Sequence, residues 1–241
     1  MSWKLKTLHA VLAAAILSAC GGPAERIKER ATELATPSPT PGERPIAGSY
    51  AITGADSGGL NEYTGSLSVA PKGDNYEFRW STTQGTRMGT GVQIGSATAA
   101  TFAATGGGNG CGVGLYKILP DGTLDGRTVM WGKEEFGIEK AVRTEGTTFV
   151  GKYSVAGTTS DGKPYWGTLQ TKKDGAGYDF LWKLDKPVVG FAIWKGNVAA
   201  VSFGGPQCGF ALYDIQSNGS LEGNWGGQKQ VTFGKESAKR Q

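Results

Sequence analysis

Few side chains in this chain of 241 residues could carry catalytic chemistry. Acid–base work would rest on carboxylates, and the candidates are Asp125, Glu222 and the adjacent pair Glu134 and Glu135. Asp125 and Glu222 stand beside turns at matching points of the chain, and neighbouring glutamates in a strand would point to opposite faces. We interpret all four as structural or solvated carboxylates, and we predict that the protein is not an enzyme.

The chain has one histidine, His9, in an N-terminal segment that we expect to be removed. Without it, neither a Ser-His-Asp set nor a Cys-His set can form, and a His-ligated zinc site is excluded. The glycine-rich segment 106–110 lacks the lysine and the following helix of a phosphate-binding loop, and it predicts a flexible turn. We therefore expect no metal and no cofactor.

Cys111 and Cys208 form a candidate disulfide, because they hold equivalent positions in a repeat and each precedes a glycine. Disulfides persist in exported proteins. The alternative is two small buried thiols, since equivalent positions in separate domains need not bring the Cα atoms within the roughly 4–7 Å that a disulfide requires. The sequence leaves both interpretations open.

The tryptophans fall into two groups. Trp80 and Trp182 match each other and alternate with other residue types, which predicts that they face the interior of a barrel. Trp166, Trp194 and Trp225 have no counterpart in the other half of the chain. Because exposed aromatics are common binding anchors, one hypothesis is that these three line a single site. The alternative is local repacking between the repeats.

The first twenty residues are typical of an export signal. Lys4 and Lys6 precede an apolar run over residues 8–19 that is too short to cross a bilayer. Leu17-Ser18-Ala19-Cys20 resembles the lipobox of bacterial lipoproteins. The resemblance implies cleavage of residues 1–19 and a lipid anchor on Cys20. With no aspartate after the cysteine, it also implies sorting to the outer membrane in a host that has two membranes.

Residues 20–46 predict a lipid-anchored, disordered linker that lifts the folded part off the membrane. Four prolines within nine residues favour an extended, semi-rigid chain: Pro37, Pro39, Pro41 and Pro45. Loss of two lysines with the signal reduces the formal charge from +4 to +2, so no nucleic-acid footprint is visible.

The remaining sequence is a duplication of residues 47–144 in residues 145–241. All eight tyrosines pair across the two halves. The pairs are Tyr50 with Tyr153, Tyr63 with Tyr165, Tyr76 with Tyr178, and Tyr116 with Tyr213. An ordered series of this kind indicates an internal repeat.

Alternation with a period of two runs through each repeat, as in Tyr76, Phe78 and Trp80. About eight such strands per repeat are separated by turn signals, including Asp161-Gly162 and Asn218-Gly219. Short hairpin-linked strands close readily, because closure removes exposed edges. We predict an all-β fold of two tandem small antiparallel barrels, one per repeat. The alternative is one larger barrel or sandwich built from both repeats.

Two resemblances follow from these residues. The series Gly151-Lys152-Tyr153, Leu212-Tyr213 and Leu221-Glu222-Gly223, with its looser copy in the first repeat, is similar to a small secreted bacterial domain family labelled fibronectin-binding. The likeness covers nearly all of residues 47–241 and implies no particular functional residues. At the level of the fold, the segment 221–225 looks like the closing strands of avidin-like barrels.

We expect a non-catalytic binding or adhesion module in the bacterial cell envelope. Its partner would be a protein, a glycan or a small apolar ligand, besides the membrane that holds the lipid. One alternative is an envelope protein inhibitor or a structural lipoprotein. A second alternative is an enzyme that uses carboxylates only.

Overall fold

The described part of the chain is built from β-strands. A computed structural model describes residues 43–103 and 110–241, and within these residues sixteen strands follow one another. They are β1 (Gly48–Ala55), β2 (Glu62–Lys72), β3 (Asn75–Thr82), β4 (Gly85–Ile94), β5 (Ala97–Ala103), β6 (Gly112–Ile118), β7 (Leu124–Met130), β8 (Gly137–Glu145), β9 (Gly151–Thr158), β10 (Pro164–Asp174), β11 (Gly177–Lys183), β12 (Val188–Lys195), β13 (Val198–Phe203), β14 (Cys208–Ile215), β15 (Leu221–Gly226) and β16 (Gly234–Arg240).

Several sequence predictions concern residues outside that part. The signal peptide 1–19, the lipidated Cys20, the linker as far as residue 42 and most of the glycine-rich segment lie outside the described residues. Of the residues that are described, none belongs to a helix long and apolar enough to span a bilayer.

The sixteen strands form two closed antiparallel barrels of eight strands each. Barrel 1 has the strand order β1-β16-β15-β14-β5-β4-β3-β2, and barrel 2 has the order β10-β11-β12-β13-β6-β7-β8-β9. The predicted all-β fold with two small barrels is therefore confirmed, and the alternative of one larger barrel or sandwich is wrong.

The barrels do not coincide with the sequence repeats 47–144 and 145–241. Each barrel takes five strands from one repeat and three from the other, because β5 pairs with β14 and β13 pairs with β6. Barrel 2 is thus one continuous segment from β6 to β13, inserted between the two parts of barrel 1. The last three strands of both repeats carry mostly matching inward residues, such as Tyr116 with Tyr213, so the repeat pattern does not reveal which barrel they complete.

The turn signals read from the sequence are found at hairpins. Gly162, Gly175, Gly196 and Gly219 have φ values of 72°, 52°, 59° and 80°. Glycine adopts this left-handed region without the steric cost that other residues incur. These turns set the registers in which inward and outward residues alternate.

A buried apolar residue closes one end of each barrel. The Tyr50 hydroxyl donates to the carbonyl of Ile46 at 2.7 Å, and the Tyr153 hydroxyl donates to the carbonyl of Phe149 at 2.8 Å. Ile46 is fully buried, and Arg44 donates to the carbonyl of Ile215 in barrel 1. The predicted linker 20–46 is therefore wrong at its end, where residues 43–46 pack against barrel 1.

The two barrels lie side by side across an apolar interface. Val92 and Ala99 of barrel 1 pack in one buried cluster with Leu115, Val129 and Phe191 of barrel 2. The small outward residues of β4 and β5 let the two sheets approach closely. This burial joins the barrels into one body.

A disulfide joins Cys111, just before β6, to Cys208, the first residue of β14. These positions follow the two crossings at which the chain passes from one barrel to the other. The structure thus resolves the alternatives left open by the sequence in favour of the bond. The two cysteines approach because the strand exchange brings both crossings to the same point.

The disulfide closes a separation of 97 residues, so chain-entropy arguments assign it about 3–5 kcal/mol. We expect the Cys111→Ala, Cys208→Ala variant to lose that much free energy of unfolding while both barrels still form. Urea denaturation of the variant and of the parent protein measures the difference. A loss below about 1 kcal/mol would contradict the expectation.

Removal of barrel 2 tests the strand exchange. Ala103 and Cys208 are opposite partners in the register of β5 and β14, so a two-residue Asn-Gly turn can replace residues 104–207 in a Cys208→Ser background. We expect the shortened chain to keep barrel 1, with lower stability because the interface is lost. Dispersed NMR spectra and near-ultraviolet circular dichroism measure this. An unfolded product is the outcome expected if each barrel were one sequence repeat.

Candidate binding site at the barrel ends

The three tryptophans predicted to share a site lie apart. Trp166 is on β10, opposite Ala156, and Trp194 is on β12, where its ring stacks on Phe149 at a centroid distance of 5.3 Å. Trp225 is on β15 and belongs to barrel 1. The hypothesis of one site lined by all three is wrong, because the strand exchange separates β15 from β10 and β12.

The carboxylates considered from the sequence also lie away from the barrel-end cavities. Glu134 and Glu135 are exposed between β7 and β8, and Glu222 is exposed on β15, where it accepts a hydrogen bond from the Ser237 hydroxyl at 2.7 Å. Asp125 is half-buried on β7. Within residues 43–103 and 110–241, no three histidine, cysteine or acidic side chains cluster as a metal site would require.

A different carboxylate lies inside barrel 2. Glu139 of β8 is 3% exposed, and its side chain accepts three hydrogen bonds. Its Oε1 accepts from the Tyr116 hydroxyl at 2.8 Å and from the Trp182 Nε1–H at 3.1 Å. Its Oε2 accepts from the Tyr165 hydroxyl at 2.7 Å. These donors offset part of the cost of burying a carboxylate.

Barrel 1 contains the same cluster around Glu236 of β16. Its Oε1 accepts from the Tyr213 hydroxyl at 2.5 Å and from the Trp80 Nε1–H at 3.1 Å. Its Oε2 accepts from the Tyr63 hydroxyl at 2.7 Å. Trp80 and Trp182 are buried in their barrels, as the sequence predicted.

Cross-strand glycines make room for the deep tyrosine of each cluster. Tyr116 pairs with Gly126 and Tyr213 pairs with Gly223. A Cβ atom on either glycine would come within 2.3 Å of the tyrosine Cδ1. The phenol ring can therefore lie flat against the neighbouring strand and reach the carboxylate.

Burial shifts the pKa values of both clusters. Burial raises the pKa of Glu139 above its ordinary value, while the three hydrogen bonds act in the opposite direction. The pKa of Glu236 is raised for the same reason, and there the Arg87 charge also opposes the rise. Burial and the neighbouring Glu139 raise the pKa of Tyr116 and Tyr165 well above the ordinary value, so both phenols remain donors.

Two large side chains fill the end of barrel 1 above its carboxylate. The Trp225 ring lies edge-on between Tyr63 and Phe102, at centroid distances of 6.2 Å and 6.4 Å. The Arg87 guanidinium lies 5.4 Å from the centre of the Phe102 ring and 5.5 Å from that of Trp225. The remaining space of about 20 Å³ holds roughly one water molecule.

Smaller residues stand at both of these positions in barrel 2. Thr128 takes the position of Trp225, and Val188 takes the position of Arg87. The cross-strand partners establish the match: Thr128 faces Gly137 as Trp225 faces Gly234, and Val188 faces Trp182 as Arg87 faces Trp80.

The result is an open cavity of about 210 Å³ at the end of barrel 2. An engineered cavity of about 150 Å³ in another protein holds benzene, so this space suits a single-ring molecule. Glu139 forms the floor, and the walls are mostly apolar, with hydroxyl groups at the rim. The lining residues are Tyr116, Thr128, Val129, Met130, Glu139, Thr159, Ser160, Tyr165, Trp182, Leu184, Val188 and Phe203.

Sequence reasoning missed Glu139 and Glu236, although a signal for them exists. Glu139 stands 23 residues after Tyr116, and Glu236 stands 23 residues after Tyr213. Each glutamate also stands two residues after a glycine. Alignment of the last third of the two repeats would have shown a matched glutamate among residues that differ. The unequal cavities carry no comparable sequence signal, because the exchange of strands decides which residues share a barrel end.

Fold and site together define a double eight-stranded β-barrel with two buried carboxylate clusters, of which one opens into a cavity. Comparison with known protein families, with curated proteins and with solved structures finds no match to this chain. The resemblance to the family labelled fibronectin-binding therefore stays a prediction.

The buried carboxylates predict a particular dependence of stability on pH. A carboxyl whose pKa is raised on folding stabilises most below its unfolded pKa of about 4.3, and this contribution falls as the pH rises through the folded pKa. We expect the free energy of unfolding, relative to a Glu139→Gln, Glu236→Gln variant, to fall from pH 4 to pH 7. The scale is about 1.4 kcal/mol per pKa unit for each carboxyl.

Urea denaturation across this pH range measures the difference. The matched control is Glu134→Gln, Glu135→Gln, which removes the same number of carboxylates at exposed positions. A difference that grows as the pH rises would show that the two buried carboxyls have lowered pKa values instead.

Proposed function

We propose that the protein is a lipid-anchored bacterial envelope protein whose barrel 2 binds a small, largely apolar molecule without converting it. One observation carries the proposal, namely the difference between two otherwise matched barrel ends. Barrel 1 is filled by Trp225 and Arg87, whereas barrel 2 keeps the same buried carboxylate beneath a cavity of about 210 Å³. Retention of the polar floor together with loss of both filling side chains is typical of a binding site.

The lining of the cavity supports this class of ligand. Ligand sites are commonly concave and mostly apolar, with a few convergent polar groups that fix orientation. Leu184, Val188 and Phe203 supply apolar wall, while Tyr165 and Glu139 supply the polar groups. Because the space is at the small end for ligand sites, the ligand is of single-ring size.

The sequence supports the location. The lipobox-like residues before Cys20 and the proline-rich linker are typical of proteins held at a membrane surface by lipid. A binding module on such a tether would meet molecules in the envelope or at the cell surface. The inhibitor, structural and carboxylate-enzyme alternatives stay predictions from the sequence.

A titration with propylbenzene, a neutral single-ring probe, tests the proposal. The indole N–H of Trp182 donates to Glu139 at the cavity floor, and that of Trp80 is its counterpart in the filled barrel. We expect a saturable NMR shift of the Trp182 signal with little change at Trp80. A Thr128→Trp substitution restores the filling residue of barrel 1 and should weaken binding at least about tenfold.

The matched control is Thr168→Trp, which adds the same side chain at an exposed position of β10. This variant should bind like the parent protein. If neither propylbenzene nor phenethylamine, its cationic isostere, moves the Trp182 signal, the cavity is not a binding site of this class and the proposal fails.

A further inference from the structure

We infer that the ligand of barrel 2 carries an ammonium group, which lies over the Phe203 ring and contacts the Tyr165 hydroxyl oxygen. The group would occupy the position that the Arg87 guanidinium has in barrel 1. This inference rests on the proposed function and adds the charge of the ligand to it.

Barrel 1 shows how a cation fits above the carboxylate cluster. The Arg87 guanidinium lies over Phe102, whose ring packs edge-on against Trp80 at 5.9 Å. Its charge favours the ionised form of Glu236 and lowers the pKa of Tyr63, against the larger effect of burial. A positive charge of the same chain therefore lies near the buried carboxylate of barrel 1.

Barrel 2 keeps the carboxylate cluster and the phenylalanine ring of this arrangement, but it lacks the cation and also the Trp225 ring, which Thr128 replaces. Phe203 packs edge-on against Trp182 at 5.9 Å, the same distance as in barrel 1. Val188 stands where Arg87 would be, and the described residues that line the cavity include no lysine or arginine. Burial and three neutral donors are the influences on the pKa of Glu139, which has no cationic partner among them.

Tyr165 offers a direct contact for the missing cation. Its hydroxyl hydrogen is donated to Glu139 Oε2, which leaves the oxygen lone pairs free to accept a hydrogen bond. An ammonium that donates to this oxygen would be linked through the hydroxyl to the carboxylate behind it. The face of Phe203 would add a cation–π attraction.

The rest of the cavity sets the body of the ligand. Met130, Leu184 and Val188 form an apolar wall beyond the charged end. A ligand that meets both parts has a single positive charge and an apolar group of about one ring. The same arrangement rejects anions, because a second negative charge near Glu139 would be repelled.

The experiment compares three probes that differ in charge and hardly in shape, on the full chain in lipid nanodiscs. Phenethylamine is the cation, propylbenzene is its neutral isostere and 3-phenylpropanoate is the anion. At about pH 7.5 an alkylammonium is protonated. We expect phenethylamine to bind at least about tenfold more tightly than propylbenzene, with no detectable binding of the anion, as measured by calorimetry and by the Trp182 indole signal.

Variants then locate the source of the preference. Glu139→Gln and Tyr165→Phe should each reduce the ratio of phenethylamine affinity to propylbenzene affinity at least about fivefold, since one removes the charge and the other the acceptor. Val188→Arg supplies the cation from the chain and should abolish phenethylamine binding. The fold of this variant is expected to hold, because barrel 1 accommodates the same residue at the matching position. The unmoved Trp80 signal serves as the internal control in each case.

The outcomes separate the inference from the proposed function. Equal affinity for phenethylamine and propylbenzene overturns the inference and leaves the cavity as a site for neutral molecules. A preference for the amine that persists in both Glu139→Gln and Tyr165→Phe also overturns it. If neither phenethylamine nor propylbenzene binds, the proposed function and the inference are overturned together.

Discussion

A carboxylate inside a closed barrel is the constraint around which this protein is organised. Glu139 must find its donors within the barrel, and they come from β6, β10 and β11. Because β6 and β8 belong to the first repeat while β10 and β11 belong to the second, the cluster is complete only when strands of both repeats share a barrel. The hydrogen bonds to the buried carboxylate therefore depend on the exchange of strands between the repeats. The donors offset part of the cost of burying the carboxylate, and the same arrangement occurs around Glu236 in barrel 1.

The duplication leaves two barrels with the same interior and different ends. In barrel 1 the chain supplies its own aromatic ring and its own cation, Trp225 and Arg87, and the end is full. In barrel 2 the residues at these positions are Thr128 and Val188, and the end is open. The filled barrel thus acts as an internal reference for the open one. It shows which groups the carboxylate cluster accommodates and where they lie, without any bound molecule.

Much of the fold could be predicted from the sequence, because strand period and turn chemistry are local. The alternation of Tyr76, Phe78 and Trp80 and the Asp-Gly and Asn-Gly turns fix strands and hairpins within a few residues. The partition of those strands between barrels could not be predicted, because β6 to β8 and β14 to β16 carry mostly equivalent inward residues, such as Glu139 and Glu236. The pairing of β5 with β14 and of β13 with β6 decides which barrel these strands join, and both pairings are between residues far apart in the sequence. The site was missed for the same reason, and because a glutamate in a strand is ordinarily assigned to the solvent face.

The insertion of barrel 2 within barrel 1 fixes an order of completion for a chain that is synthesised from its N-terminus. Barrel 2 has all of its strands once residue 203 has emerged, whereas barrel 1 waits for β16 and residue 240. Until then, β1 and β5 present unpaired edges, and long-range closure of this kind is intrinsically slow. The cavity of barrel 2 is therefore complete before barrel 1 can close. A chain interrupted near its C-terminus would carry a complete cavity beside an open sheet.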